Sequence, residues 1–283
     1  MSGRSLDSAT PARDALAGAI SAITAAGCET PRLDAEVLLA DVLGVARGRL
    51  LTDGDLVVQG RALRAFQSAV RRRAQLREPV AYIIGRRSFR HLELDVDPRA
   101  LIPRPESELL VEFGISLPAG AGVLDLGTGS GAVALALKDE RPDLHVGGSD
   151  VSAAALQLAR ENGRRLGLNV RWLHADLLEG IDEQFDAVLA NPPYVAESER
   201  AGLAPEILRH EPGVALFAGP DGLAVIRPLI AALAERRGVG VVALEVGAGQ
   251  AGTVARLMER AGFGSLRCER DLAGVERVVV GER

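Results

Sequence analysis

Apolar positions recur three and four residues apart from about Ser8 to Gln75, in Leu33, Val37, Leu38 and Asp41-Val42 and again in Leu63, Phe66 and Val70. That spacing lays one apolar stripe along a helix. Gly27, Thr30-Pro31, Gly44 and Asp53-Gly54 interrupt the pattern, and residues of these types end helices, so several short helices are predicted. Near Glu78-Pro79 the character changes, and Ala81 to Val96 reads as short extended segments with turns at Gly85 and Asp97-Pro98, a hairpin connector. From Gly122 onward apolar runs alternate with helical stretches. Strands are predicted at Val123–Leu126, His145–Ser149, Val170–His174, Phe185–Ala190, Val239–Val246, Ser265–Arg270 and Val275–Val280, with helices between the earlier ones.

Such alternation implies an α/β architecture with a mostly parallel, doubly wound sheet, because parallel neighbours need helical crossovers. Only Asp271-Leu272-Ala273-Gly274 separates the last two strands, too little for a crossover, so these two must run antiparallel. The expected organisation is a helical domain over residues 1–80, a β-hairpin linker over 81–99 and a seven-stranded sheet domain with one reversed strand over 100–283, an arrangement found in Rossmann-like methyltransferases.

Length and composition agree with this division. The 283 residues, 47% hydrophobic and 25% charged, describe a globular protein with room for one medium and one small domain. Arg4, Asp7, Arg13 and Asp14 break up the first twenty residues, so a signal peptide is not expected. No apolar run reaches the roughly 20 residues of a membrane span. Cys28 and Cys268 lie far apart without metal-ligand neighbours, and a reducing cytoplasm with no metal and no disulfide is the expectation. A net charge of -5 lacks the basic footprint of a nucleic-acid binder. The basic run Arg71-Arg72-Arg73 with Arg77 reads as a solvated helix face. His145, His174 and His210 show no metal-like spacing.

Two loops carry chemistry. Asp125-Leu-Gly-Thr-Gly-Ser-Gly131 sits between an apolar strand and the apolar helix starting at Ala132. There Gly127, Thr128, Gly129, Ser130 and Gly131 let a ligand lie against the backbone. One residue, not two, precedes the last glycine, which favours S-adenosylmethionine over NAD. The next strand ends at Asp150, about twenty residues on, where a carboxylate accepts hydrogen bonds from ribose hydroxyls or caps the helix starting at Ser152-Ala153, two compatible roles. Asp176 and Leu177 follow the third strand and are placed to meet the amino edge and the face of an adenine.

Asn191-Pro-Pro-Tyr194 closes the fourth strand. Pro192 and Pro193 fix φ near -65° and remove two donors, so the carbonyl and the Asn191 side chain present acceptors to an NH₂ group. An amide or aromatic amine is a poor nucleophile because its lone pair is delocalised. Binding both of its N–H groups aims that lone pair, and Tyr194 is available to stack on the planar group. Held about 3 to 3.5 Å from a reactive methyl carbon, the nitrogen needs no dedicated base.

With these loops, Pro79-Val-Ala-Tyr-Ile-Ile-Gly85, Leu101-Ile-Pro-Arg-Pro-Glu-Ser-Glu-Leu-Leu-Val-Glu112, Glu211-Pro212, Asp221-Gly222-Leu223 and Asp271-Leu-Ala-Gly-Val-Glu-Arg-Val-Val-Val-Gly281, the chain resembles the peptide chain release factor N5-glutamine methyltransferases, the PrmC/HemK family. The resemblance runs from Leu33 to Gly281. It implies methylation of the glutamine in the Gly-Gly-Gln loop of class I release factors, in support of translation termination, by a monomer whose helical domain helps to bind that protein. By position, Gly127 to Gly131, Asp150 and Leu177 correspond to cofactor contacts and Asn191 to Tyr194 to glutamine contacts. The chain departs from the family at Arg90-His91, usually an aromatic pair, at Ser107, commonly Thr, and at Leu177, often aromatic. Arg104, Glu106 and Glu108 have no derived role; Arg104 either neutralises the cofactor carboxylate or bridges the linker to the sheet. The competing readings are a nucleic-acid amino methyltransferase of the N6-adenine type, which shares Asn-Pro-Pro-Tyr, and a catalytically silent interaction module, which would need one of the two loops broken.

Overall fold

The computed structural model describes residues 9–283. The expectations that fall on residues 1–8, including Arg4, Asp7 and a helical start at Ser8, lie outside the described residues. In chain order the elements are β1 (Thr10–Pro11), α1 (Ala12–Ala25), α2 (Pro31–Leu43), α3 (Arg47–Thr52), β2 (Val57–Val58), α4 (Gly60–Leu76), α5 (Val80–Ile84), β3 (Arg86–Phe89), β4 (Leu92–Asp95), α6 (Glu108–Ile115), β5 (Gly122–Leu126), α7 (Ala132–Glu140), β6 (His145–Asp150), α8 (Ala153–Leu166), β7 (Arg171–His174), β8 (Ala187–Ala190), α9 (Pro205–His210), α10 (Ile226–Glu235), β9 (Val241–Glu245), α11 (Ala251–Arg260), β10 (Ser265–Arg270) and β11 (Glu276–Glu282). They form two compact units, one of residues up to Gly85 together with Ala204–His210, the other of Arg86–Leu203 and Glu211–Arg283.

The first unit is helical, and its core gathers Leu16, Ile23, Leu38, Leu39 and Phe66. Its helices break where turn chemistry requires: α2 opens with Pro31 in its first turn and closes at Gly44 with φ 63°, a left-handed position that favours glycine. Two expectations are corrected here. Leu33 is exposed, whereas its neighbour Asp34 is buried. Nor is the basic run a solvated face: of its residues Arg71 is exposed, but Arg73 is buried and donates to Asp34 at 2.6 Å and to Glu206 at 3.1 Å. Arg77 reaches Glu206 at 2.6 Å, and Arg72 grips Glu78 through Nε at 2.7 Å. Charges leave water only when paired, and the partners of Arg73, 39 and 133 positions away, were too far apart in the chain to be matched by spacing. Through Glu206, α9 belongs to this unit, although the sequence division put it with the sheet domain.

Val80–Ile84 is helical, with Gly85 as its left-handed cap at φ 76°, so five apolar residues that look like a strand make a helical turn after Pro79. The hairpin itself is β3 against β4, from Arg86 to Asp95, and turns at Arg90-His91 with Arg90 at φ 50°.

The second unit is a seven-stranded sheet ordered β10-β11-β9-β8-β5-β6-β7. β9, β8, β5, β6 and β7 are parallel, and β11 runs antiparallel to both its neighbours. This is the doubly wound, mostly parallel sheet with a reversed strand that the pattern predicts. One face packs on α6 and α7, the other on α10 and α11. Helix α7 is buried from Ala132 to Leu137, which explains why it is apolar on all sides. Edge strand β10 carries Arg267, Glu269 and Arg270, charges that discourage pairing with another chain. No helix among the described residues is long and apolar enough to cross a membrane.

Candidate active site

The strand order reverses direction between β5 and β8, and open α/β sheets bind ligands beyond the carboxyl ends of their strands at such a point. A cavity of about 340 Å³ opens there, within the roughly 300–1,000 Å³ of small-molecule sites. Its walls include Gly127 to Ser130, Ser149 and Asp150, Asp176 and Leu177, Asn191 to Pro193, and the segment Arg99–Arg104. The structure thus brings the two chemically suggestive loops into one cavity.

Backbone hydrogen bonds shape the glycine loop. Gly127 and Thr128 N–H groups both donate to the Ser149 carbonyl at 2.8 Å. Gly127, Gly129 and Gly131 lie at φ 73°, 57° and 86°, and a side chain at Gly131 would press on Leu135 and Trp172 at 3.0 Å. Buried Asp125 anchors the turn: its Oδ2 accepts from Thr128 Oγ1 at 2.5 Å and from the Ala134 N–H at 3.1 Å. Burial pushes this carboxyl up to about 6, against the two hydrogen bonds. Asn162, fully buried, accepts from the Asp95 N–H at 2.8 Å and donates to the carbonyls of Asp95 and Ser130, each at 3.0 Å. It ties the hairpin to the glycine loop, a link that the sequence did not reveal.

Asp150 holds the centre of the cavity wall. One carboxylate oxygen accepts from the Gly129 N–H at 2.9 Å and the other from the Ser152 N–H at 2.8 Å. Burial raises its pKa, and these backbone donors act in the opposite direction. The capping role falls to Ser152, whose side chain accepts from the Ala155 N–H at the start of α8. A carboxylate has about four lone-pair sites, so Asp150 keeps acceptor capacity for a pair of hydroxyls. Ser149 Oγ, on the same wall, is buried without a hydrogen-bond partner, and a buried hydroxyl of that kind calls for a polar ligand. Leu177 sits at φ 51°, a left-handed conformation uncommon for residues other than glycine.

Next to the glycine loop, Asn191 and Glu245 follow β8 and β9 side by side, since Ala190 of β8 is registered with both Leu126 of β5 and Leu244 of β9. Asn191 Nδ2 donates to Ser107 Oγ at 2.9 Å, and Ser107 Oγ donates to Glu245 Oε2 at 2.6 Å. The Tyr194 hydroxyl reaches Glu245 Oε1 at 3.4 Å. Burial pushes the Glu245 carboxyl up to about 7 and the Tyr194 phenol well above its ordinary range. Tyr194 does not line the cavity; its carbonyl accepts from Gln250 Nε2 at 3.0 Å, and its ring packs toward the α10 and α11 side of the sheet. The stacking expected of Tyr194 gives way to support of the loop from beneath. Gly222, at φ 72°, permits that seat, because any side chain there would collide with the Tyr194 carbonyl.

Arg104 lines the cavity; its Nη2 donates to Glu211 Oε1 at 2.6 Å, and the Ile102 N–H donates to Glu211 Oε2 at 3.2 Å. Arg90, at the hairpin turn, makes two 2.8 Å hydrogen bonds to Glu140, and its N–H donates to Glu108 Oε1 at 3.2 Å. Among the described residues no group of His, Cys, Asp or Glu is arranged to hold a metal ion.

Sheet order, glycine loop, acidic strand end and amide-presenting loop together define a class I methyltransferase domain. A family model described as a methyltransferase small domain matches residues 105–217, and one described as the PrmC N-terminal domain matches residues 14–85. The release factor glutamine methyltransferase of Mycolicibacterium smegmatis is 42% identical over 284 residues, 97% of this chain and 98% of that protein. That of Deinococcus radiodurans is 40% identical over 276 residues, 96% and 98% of the two chains. The chain belongs to the release factor glutamine methyltransferase family. Among solved structures, the 16S rRNA N2 G1207 methyltransferase of T. thermophilus, in complex with AdoMet and guanosine, shares the fold at a TM-score of 0.52 and 22% identity, over 70% of this chain and 49% of that one.

Proposed function

We propose that this enzyme transfers a methyl group from S-adenosylmethionine to the side-chain amide nitrogen (N5) of the glutamine in the Gly-Gly-Gln motif of class I peptide chain release factors. The observation that carries the reading is the shared cavity: a loop built to accept hydrogen bonds from an NH₂ group stands against a loop built for a nucleoside, and Asn191 lines the same wall as Gly127 and Asp150.

Gly127 to Gly131 offer backbone to the cofactor, Asp150 accepts from its ribose hydroxyls, Asp176 from its amino edge, and Leu177 covers the adenine face. The bound cofactor supplies an electrophilic methyl group. Asn191 Oδ1 and the Pro192 carbonyl accept the two N–H bonds of the substrate amide, which turns the nitrogen lone pair toward that methyl group. Pro193 stiffens the loop and Tyr194 holds it on Glu245. Alignment of the reacting atoms, worth several kcal/mol, is the main contribution of the protein: the N–C bond would form as the S–C bond breaks, with S-adenosylhomocysteine as the other product, and the proton released from the nitrogen would pass to solvent, so no side chain need act as base. The helical unit enlarges the contact with a protein substrate, and we assign the enzyme to the cytoplasm as a monomer. Free Cys28 and Cys268 fit a reducing compartment.

The test is transfer of labelled methyl to a purified class I release factor, to its Gly-Gly-Gln→Gly-Gly-Ala variant, and to DNA and RNA. Label on the native factor alone is expected. Label on nucleic acid would favour the amino methyltransferase reading instead.

A further inference from the structure

We propose that Ser107 and Glu245 are positioning residues that act through Asn191: they form a one-way hydrogen-bond relay which holds the Asn191 carboxamide with its oxygen, not its NH₂, turned to the substrate. The inference rests on the reading of Asn191 as acceptor for the substrate amide, and it adds what keeps that acceptor correctly oriented.

An asparagine side chain is nearly symmetric in shape, and a half-turn exchanges acceptor for donor. A donor facing the substrate NH₂ would repel it, so the loop needs something that distinguishes the two orientations. Ser107 Oγ has a single proton. Its short 2.6 Å contact to Glu245 Oε2 takes that proton, because an ionised carboxylate only accepts. What remains on Ser107 Oγ toward Asn191, 2.9 Å away, is a lone pair, and only the NH₂ of the carboxamide satisfies it. Glu245 thus sets the direction of the whole chain from a buried position at the end of β9. The Tyr194 hydroxyl donates to its second oxygen, so the same carboxylate fixes both ends of the Asn191–Tyr194 loop.

If Glu245 takes up a proton it becomes a donor to Ser107. The hydroxyl is then free to donate to Asn191, and the carboxamide is no longer held in one orientation. The groups facing Glu245 are Ser107 and Glu106 ahead of α6, Tyr194 after β8 and Arg277 on β11. Arg277 favours the carboxylate but spends its Nε on Asp271 at 2.9 Å, and Glu106 opposes it. Burial dominates, so the relay loses its direction as pH falls through the neutral range. Threonine would offer the same single hydroxyl at this place, as a relay of this kind requires.

Two measurements on the full chain test the relay, one of them independent of substrate. In NMR spectra the Asn191 side-chain NH₂ signals, assigned by their loss in Asn191→Asp, should be protected from exchange and should shift with a midpoint near neutral pH. In Ser107→Ala the protection should fall, and in Glu245→Gln the titration should vanish. In methyl transfer, Ser107→Ala should lower kcat roughly 10- to 100-fold, the usual cost of losing an orienting partner, with cofactor affinity unchanged within about threefold. Ser107→Thr should restore activity to within about threefold of the native enzyme. Unchanged Asn191 NH₂ signals in Ser107→Ala would overturn the relay whatever the substrate proves to be. So would a Ser107→Ala enzyme with native kcat, or a Ser107→Thr enzyme as impaired as Ser107→Ala. Failure of the release factor reading shows elsewhere, as a native enzyme that leaves the factor unlabelled while the NMR titration stands.

Discussion

At the residue scale, function rests on polar groups that the fold removes from water and then partially satisfies. Asn191→Ala deletes the acceptor for the substrate but none of the contacts around the glycine loop, so turnover should vanish while calorimetry finds cofactor affinity within a few-fold of native. Asp150→Ala should weaken cofactor binding by roughly 1.5 to 3 kcal/mol, the range for hydrogen bonds to a charged group. An unchanged dissociation constant in a folded Asp150→Ala protein would leave Asp150 only its backbone contacts to Gly129 and Ser152. Glu245 allows a stability test with a definite sign. Its folded pKa of about 7 lies above the ordinary Glu value, so its contribution is full at acidic pH and is lost as pH rises through 7. Between pH 5 and 8 the native chain should therefore lose stability relative to Glu245→Gln, on the order of 3 kcal/mol. Denaturant melts across that range check it, and parallel pH curves would mean that Glu245 is not held ionised at a cost. Asn191, Asp150 and the glycines were legible in the sequence because each belongs to a contiguous motif. Glu245 was not, since a glutamate closing the apolar run Val241–Glu245 shows its meaning only when Ser107, 138 positions away, is laid on it.

At the element scale, periodicity sufficed wherever an element buries one consistent face. All seven strands of the main sheet fall within a few residues of their predicted places, and the reversed β11 follows from the short link before it, five residues from 271 to 275, where Asp271 Oδ1 accepts from the N–H groups of Ala273 and Val275 at 2.9 Å. Periodicity failed for short elements. Val80–Ile84 is too brief for a helical period to show, and its apolar run imitates a strand. The hairpin β3–β4 turns at Arg90, away from the glycine that marked the expected turn, because Glu108, Glu112 and Glu140 all hold Arg90. Asn162 joins two elements that neither motif nor period connects. Asn162→Ala would remove the partner of the half-buried Asp95 backbone groups and of the buried Ser130 carbonyl, with a penalty of about 1–3 kcal/mol for the unsatisfied buried group. A lowered denaturation midpoint together with weaker cofactor binding is expected, since Ser130 belongs to the glycine loop. A stability loss with native cofactor affinity would confine Asn162 to holding the hairpin.

At the scale of the whole molecule, the sheet unit contains every residue proposed to bind cofactor, yet the chain returns once to the helical unit through Ala204–His210 before it re-enters the sheet unit at Glu211. If the helical unit mainly enlarges the contact with a protein substrate, a fragment of residues 86–283 should bind S-adenosylmethionine. It should lose kcat/KM on an intact release factor far more than on a short Gly-Gly-Gln peptide, which offers too little surface to use the extra unit. That ratio reports transition-state stabilisation relative to free enzyme and substrate. Deleting the helical unit also strips Glu206 of Arg73 and Arg77, its partners at 3.1 and 2.6 Å, and α9 comes between the Asn191 loop and Glu211 in chain order. The full chain carrying Glu206→Gln separates the two effects, because it weakens the seat of α9 while keeping the helical surface. Docking predicts that Glu206→Gln retains most of its activity on the release factor and that the fragment does not. Equal losses on peptide and protein, or a Glu206→Gln enzyme as impaired as the fragment, would assign the helical unit to bracing the chain beside the active site, and the docking role would have to be abandoned.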